Sequence, residues 1–366
     1  MPVRQRTLRA SALRSAAKLR KLASDQAGGV CVAFAMWLVL GGFGAATAQE
    51  ATDSTPTSKA VWSLTSENDL FGLGGTDRNY TNGIRIERVS REDDVADIFK
   101  WAANRLPALD FDDKTLRQGF ALSHAIFTPQ DTQATIPDPK DRPYAGWLYV
   151  SGTVIASDAH TQDILQLNLG VVGPSAAGEF VQTNWHEHVI GVETPKGWDY
   201  QLKDEPGIEL IGQRMNLYRP ELDLPLGLDF DYGVHLGGAL GNVRTYATGG
   251  GLARFGWGLE GNFGPPRIRP ALSGAGVFEP GQPLGGYIFA GAEGRYVVRD
   301  MTLDGNLWRD SPRVTSRNRL VADLQAGIAV HYSDIQIAFT YVHRTEEFKA
   351  QAGPQRFGAV SVSFAY

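Results

Sequence analysis

The chain has one cysteine, four methionines and a single long apolar run. One cysteine excludes a disulfide framework and any zinc-finger spacing. The apolar run, residues 28–43, lies at the N-terminus behind a basic and polar lead. No second such stretch follows, so no transmembrane helix is expected in the remainder. An excess of basic charge is also missing. The formal net charge is -5, and the first 48 residues hold seven of the 35 basic side chains but only Asp25 of the 40 acidic ones. Residues 49–366 therefore carry 28 basic and 39 acidic residues, a net of -11. Nucleic-acid affinity comes largely from neutralising phosphates with Lys and Arg, so this charge balance argues against a nucleic-acid partner.

What is present at the N-terminus is an export signal. A basic lead, the apolar run 28–43 and the small-x-small site Ala46-Thr47-Ala48 predict cleavage after Ala48. A membrane anchor is the alternative, but the run is short of the roughly 20 residues that cross a bilayer. The division is 1–48 signal peptide and 49–366 mature domain. Cys31 falls in the removed part, and no cysteine at the cleavage site offers a lipid anchor.

Glycine and aromatics are plentiful: Gly 42, Phe 17, Tyr 12 and Trp 8. The terminal segment shows how they are used. Val360, Val362, Phe364 and Tyr366 fall on one face, while Ala359, Ser361, Ser363 and Ala365 fall on the other. A period of two is a strand. Comparable alternation recurs at 61–67, 83–89, 120–126, 148–155, 164–172, 208–218, 226–237, 245–261, 286–298, 320–332 and 334–342. The fold class is all-β, an antiparallel transmembrane β-barrel of about 12 strands. An even count suits bacterial membrane barrels, and closure removes the unpaired edge. A soluble barrel or sandwich would alternate as well. Strand lengths near those needed to cross hydrocarbon favour the membrane, as do Trp147, Tyr149, Tyr341 and Tyr366 read as an aromatic girdle. Residues 94–103 read as a short helix outside the wall, with Val95, Ile98, Phe99 and Ala102 at helical spacing.

Four polar segments exceed what a passive barrel needs: Glu67-Asn68-Asp69 with the glycine-rich stretch to Gly83, then Asp141 to Trp147, Gln182 to His188, and Glu193 to Trp198. Carboxylates and amides on a glycine-rich loop suit a hard cation such as calcium. Each segment also has a plainer reading. Thr81-Asn82-Gly83 makes a tight turn, Asp69 faces a wet lumen, and His186 and His188 sit idle at a barrel mouth. Their i,i+2 spacing places both on one face of a strand but on different faces of a helix. Neither a His-Glu-x-x-His zinc motif nor a Gly-x-Ser-x-Gly nucleophile elbow occurs.

Taken in order, Glu67-Asn68-Asp69, Tyr80-Thr81-Asn82-Gly83, Pro143-Tyr144-Ala145-Gly146-Trp147, Val181-Gln182 with His186, Gly197 to Leu202 and Glu205-Pro206 resemble the outer-membrane lipid A 3'-O-deacylase family. The resemblance spans essentially all of 49–366. It implies a 12-stranded outer-membrane barrel with its site at the extracellular rim. It also implies calcium-dependent removal of the 3'-linked acyloxyacyl chain from the lipid A of lipopolysaccharide. Residue by residue, it implies His186 as general base, Asn68 and Asp69 beside the metal, a functional threonine at Thr81 with Thr76 as rival, and Glu193. The metal ligands would be Asp69, Thr81 and Glu193. Two departures stand out: an extra residue between His186 and Glu193, and a short loop from Asp69 to Tyr80. Arg142 and Lys196 are candidates to receive lipid A phosphates or to be plain surface charges. The expected partners are lipid A, the outer-membrane bilayer, and the periplasmic chaperones and insertion machinery that assemble barrels.

Two other readings stay open. A passive pore or structural barrel shares the fold, since folds do not fix function. A calcium-dependent outer-membrane phospholipase would need a serine partner for His186 or His188, and none is evident.

Overall fold

A computed structural model describes residues 58–72, 78–103, 105, 111, 113–271 and 276–366. The expected signal peptide at 1–48, Thr76 and Asp77 lie outside the described residues. Twelve antiparallel strands close on themselves, each beside its sequence neighbours, with β1 meeting β12. They are β1 Val61–Asn68, β2 Asn79–Val89, β3 Thr115–Thr128, β4 Ala145–Ser157, β5 Thr161–Val172, β6 Glu205–Tyr218, β7 Asp229–Gly241, β8 Arg244–Trp257, β9 Leu284–Asp300, β10 Leu320–Tyr332, β11 Ile335–Arg344 and β12 Gln355–Ala365. The expected all-β membrane barrel is therefore the observed fold. Strand bounds shift where glycine blurs the period. The seventh strand starts at Asp229, because Leu226 turns the chain at a φ of 65°.

β1 starts and β12 ends at one rim, which also carries the tight turns 158–160 and 333–334. This is the periplasmic side, and the long segment 173–204 marks the extracellular side. Alternation sorts the wall. Leu64, Ile86, Leu167, Leu169, Leu236, Ile288, Leu324, Ile337 and Val362 are exposed and face lipid. Tyr218, Tyr232, Trp257, Tyr332 and Tyr366 are exposed near the periplasmic strand ends, where an interfacial belt belongs. Trp147 and Tyr149 are not part of a girdle. They are buried, stacked 4.8 Å apart, and share the inward face of β4 with Ser151, which bonds Arg85 inside the barrel. Alternation shows which residues share a face, not which face is inside.

The lumen is filled. Residues 258–271, between β8 and β9, climb from the periplasmic rim until Arg267 Nε and the Ile268 amide both donate to Glu67 Oε1, at 3.0 and 3.1 Å. The chain returns with Phe278 packed on Val61 and Ala365. Around this plug the inward charges pair: Arg85 with Glu87 at 2.7 Å, Asp323 with Arg295 at 3.0 Å and with Arg344 at 2.8 Å, Arg254 Nε with Asp231 at 2.7 Å. Buried carboxylates without such partners would cost several kcal/mol each. A cavity of about 40 Å³ remains between the plug tip and the upper wall, enough for a few waters but not an open channel.

Candidate active site on the outer face of the wall

Two glycines bring an arm against the outside of the barrel. Residues 173–204 leave β5, and the amide of Gly173 donates to Gly146 O at 3.1 Å. A Cβ on Gly146 would lie 3.1 Å from the Gly178 nitrogen, and one on Gly178 would lie 2.7 Å from the Trp198 ring. Only bare backbone allows this approach. The outward His124 of β3 fixes the contact by donating from Nε2 to Ala176 O at 2.8 Å. Helix α2, Gly178–Trp185, then runs along β3 and β4, with Val181 packed on Ile126, Tyr144 and Trp198. The Pro-Tyr-Ala-Gly-Trp run thus does three jobs. Tyr144 lies against Trp198 at 4.7 Å, Gly146 admits the helix, and Trp147 fills the lumen.

His186 begins a π-helical turn, His186–Ile190, at the end of α2, and Gly191 stops it at a φ of 66°. Such turns are frequent at functional sites. The segment is helical, so the two histidines separate: His186 is 3% exposed, whereas His188 is exposed. His186 Nδ1 lies 2.8 Å from the backbone carbonyl of Glu193. A carbonyl only accepts, so Nδ1 carries the proton and Nε2 is the basic nitrogen of the neutral ring. One turn back on the same helix face, Gln182 is buried and accepts from Trp198 Nε1 at 3.0 Å. The Glu193 carboxylate is turned away: its side chain is 76% exposed, 3.7 Å from Lys196. The carbonyl of Glu193, not its carboxylate, orients the imidazole. Arg142 is fully buried and bonded to Glu347 at 3.0 Å, so it is no surface charge.

The oxygen-rich group sits at the extracellular ends of β1 and β2. Asn68 and Asn82 are direct cross-strand partners, and Asn82 in turn faces Ile126, the residue on which α2 rests. A bulge between Tyr80 and Asn82 sets Thr81 out of register, and its hydroxyl meets that of Thr128 at 2.7 Å. Asn79 adopts a φ of 65°, tolerable for Asn. Asp69 is 4% exposed and accepts from the Arg78 amide at 3.1 Å, while Asn68 caps Leu70 at 2.8 Å. The turn Asp69–Gly72 that follows lies against β12, and a Cβ on Gly72 would strike Arg356 O at 2.5 Å.

The structure therefore collects Asn68, Asp69 and Thr81 at one patch. It places His186 on the arm that packs beside that patch, and leaves the Glu193 side chain in solvent. Sequence reasoning included Asn79 only within the polar segment running to Gly83 and gave no role to Thr128, which nothing in the strand pattern marks. The amide oxygens of Asn79 and Asn82 are buried and make no hydrogen bond among the described residues. Uncharged oxygens of this kind, with one carboxylate, fit a hard cation such as calcium. Among the described residues, no group of three or more His, Cys, Asp or Glu side chains is placed to hold a metal ion by itself.

The family described as outer membrane protein LpxR matches residues 31–366. Among solved structures, LpxR from Salmonella typhimurium superposes with a TM-score of 0.67 at 20% identity, covering 84% of this chain and 100% of that chain. The beta domain of the Bordetella autotransporter BrkA gives a TM-score of 0.40 at 11% identity, over 84% of this chain and 98% of that chain. No curated protein matches the chain. With the family matched across the barrel and the Salmonella barrel sharing its fold, the chain belongs to the outer membrane protein LpxR family and resides in the outer membrane.

Proposed function

We propose that this barrel is a calcium-dependent lipid A 3'-O-deacylase. The observation that carries the reading is the position of His186: a buried imidazole with Nδ1 tied to a carbonyl, on a helix pressed to the outer face of the wall. An enzyme acting on a lipid of the outer leaflet needs its base there, not in the lumen. His186 Nε2 takes a proton from water as the water oxygen attacks the carbonyl carbon of the 3'-ester. The bond from that carbon to the sugar oxygen then breaks, and the proton passes to the leaving oxygen. The products are an acyloxyacyl acid and a lipid A with a 3'-hydroxyl. Asp69, Thr81 and the orphaned oxygens of Asn79 and Asn82 would hold the calcium, with Asn68 bracing the Asp69 turn. Bound calcium supplies positive charge beside the ester carbonyl. Glu193 contributes through its carbonyl, which holds the imidazole tautomer. The filled lumen weighs against a passive pore.

The test is the mass spectrum of lipid A after incubation with the detergent-purified protein, in calcium and in chelator. Loss of one acyloxyacyl unit in calcium alone is expected. An unchanged spectrum from a folded, heat-modifiable barrel contradicts the reading.

A further inference from the structure

We infer that helix α1, Asp97–Ala103, is an interfacial anchor that beds into the glycerophospholipids of the periplasmic leaflet. It lies between β2 and β3 in the chain, at the rim opposite His186, and takes no part in the proposed chemistry.

The wall is shaped to receive it. Arg88, Phe120, Gly152 and Leu167 form one outward-facing row of direct partners across β2, β3, β4 and β5. Phe99 of α1 sits on this row, its ring 5.4 Å from that of Phe120 in an edge-on contact. Gly152 is the gap in the row: a Cβ there would lie 3.2 Å from the Phe99 ring. The amide of Ala96 donates to Gln118 Oε1 at 3.0 Å and fixes the entry to the helix. The helix therefore lies along the lipid-facing wall and does not hang free in the periplasm.

The same row gives its depth. Arg88 is bonded to the Tyr366 hydroxyl at 2.8 Å, a cation and an aromatic hydroxyl suited to the headgroup level. The next outward residue of β2, Ile86, is 43% exposed, and Leu167 at the far end of the row is 39% exposed, as lipid-facing side chains are. The row marks the boundary between headgroups and hydrocarbon. With Phe99 turned to the wall, Ile98 and Trp101 point away from it, 65% and 54% exposed. Arg105 lies over the Trp101 ring at 4.2 Å. An apolar pair at this depth, next to Arg105 and the exposed Lys100, matches acyl chains above and phosphates below.

The chain from Gln49 onward has no cysteine, so a nitroxide on Trp101→Cys reports one position. The protein would be reconstituted into phosphatidylethanolamine–phosphatidylglycerol vesicles, and collisions with oxygen and with a water-soluble nickel chelate compared. Leu324→Cys on the lipid-facing wall and Asp223→Cys in the periplasmic turn are the references. The label at 101 is expected to meet oxygen as the Leu324 label does, and to meet nickel at least about fivefold less than the Asp223 label. Ile98→Cys should behave alike, which removes dependence on losing the Trp101 ring. Adding Gly152→Leu, which evicts Phe99, should shift both labels toward the Asp223 values in a barrel that is still heat-modifiable. Nickel accessibility at 98 and 101 equal to that at 223 overturns the inference, as does indifference to Gly152→Leu.

Discussion

Two largely buried polar regions of this barrel are built from different residue types. In the lumen, charges answer one another. Asp323 binds Arg295 and Arg344, Asp231 binds Arg254, and Glu67 binds Arg267 of the plug. On the outer face at the extracellular rim, the polar groups are mostly uncharged, gathered around the one carboxylate of Asp69. Among the described residues the amide oxygens of Asn79 and Asn82 make no hydrogen bond, and His186 is oriented by donating from Nδ1 to the Glu193 carbonyl. Paired opposite charges stiffen a scaffold; neutral oxygens around one carboxylate have the chemistry that suits a hard cation. The proposed chemistry belongs to the outside of the wall.

That contrast is sharpest for single substitutions. Asp69→Asn removes the carboxylate of the outer patch, and deacylation in calcium should fall roughly 100-fold with the barrel still folded. Rates across a calcium titration check this; an unchanged rate would detach the patch from the chemistry. Asp323→Ala does the reverse. It leaves Arg295 and Arg344 without their shared carboxylate, and unfolding in urea should show a loss of about 3–5 kcal/mol. Correctly folded molecules should keep near-normal turnover. Glu193→Gln tests the assignment of orientation to a backbone carbonyl. Its exposed carboxylate contributes little to stability, so activity should stay within about twofold. A collapse comparable to that of Asp69→Asn would return the carboxylate to the site.

The smallest effect belongs to the periplasmic turn. Burial alone would raise the Asp158 pKa, but hydrogen bonds from the Thr161 hydroxyl and the amides of His160 and Thr161 outweigh it and hold the carboxyl below its ordinary value. A depressed folded value stabilises the fold above the unfolded value of about 3.9, and the gain disappears as pH falls through the folded value. Asp158→Asn should therefore lower the unfolding midpoint slightly at neutral pH and make no difference in strong acid.

Much of this architecture is legible in the chain because a membrane wall obeys a strict period. The alternation ending at Tyr366 locates the last strand to within a residue, and eleven similar stretches supply the rest. The plug is not legible. Residues 258–283 carry Gly, Pro and Arg as a solvent loop does, and only their partners in the lumen, Glu67 for Arg267 and Gln213 for Arg269, reveal where those arginines go. Trp147 misleads for a related reason: aromatics serve both a girdle and a packed lumen. At the site, the family resemblance points to Asn68, Asp69, Thr81 and His186, but the helical setting of His186 and the outward turn of the Glu193 carboxylate depend on the arm's packing against Gly146. Local sequence does not encode that contact.

The most direct test measures two quantities on one sample of His186→Ala: the rate of 3'-deacylation of lipid A in calcium, and the unfolding midpoint of the barrel. The account predicts a rate lower by about 100-fold or more, with a midpoint close to that of the parent. A rate near the parent's, from a barrel of unchanged midpoint, would contradict the assignment of His186 as the base.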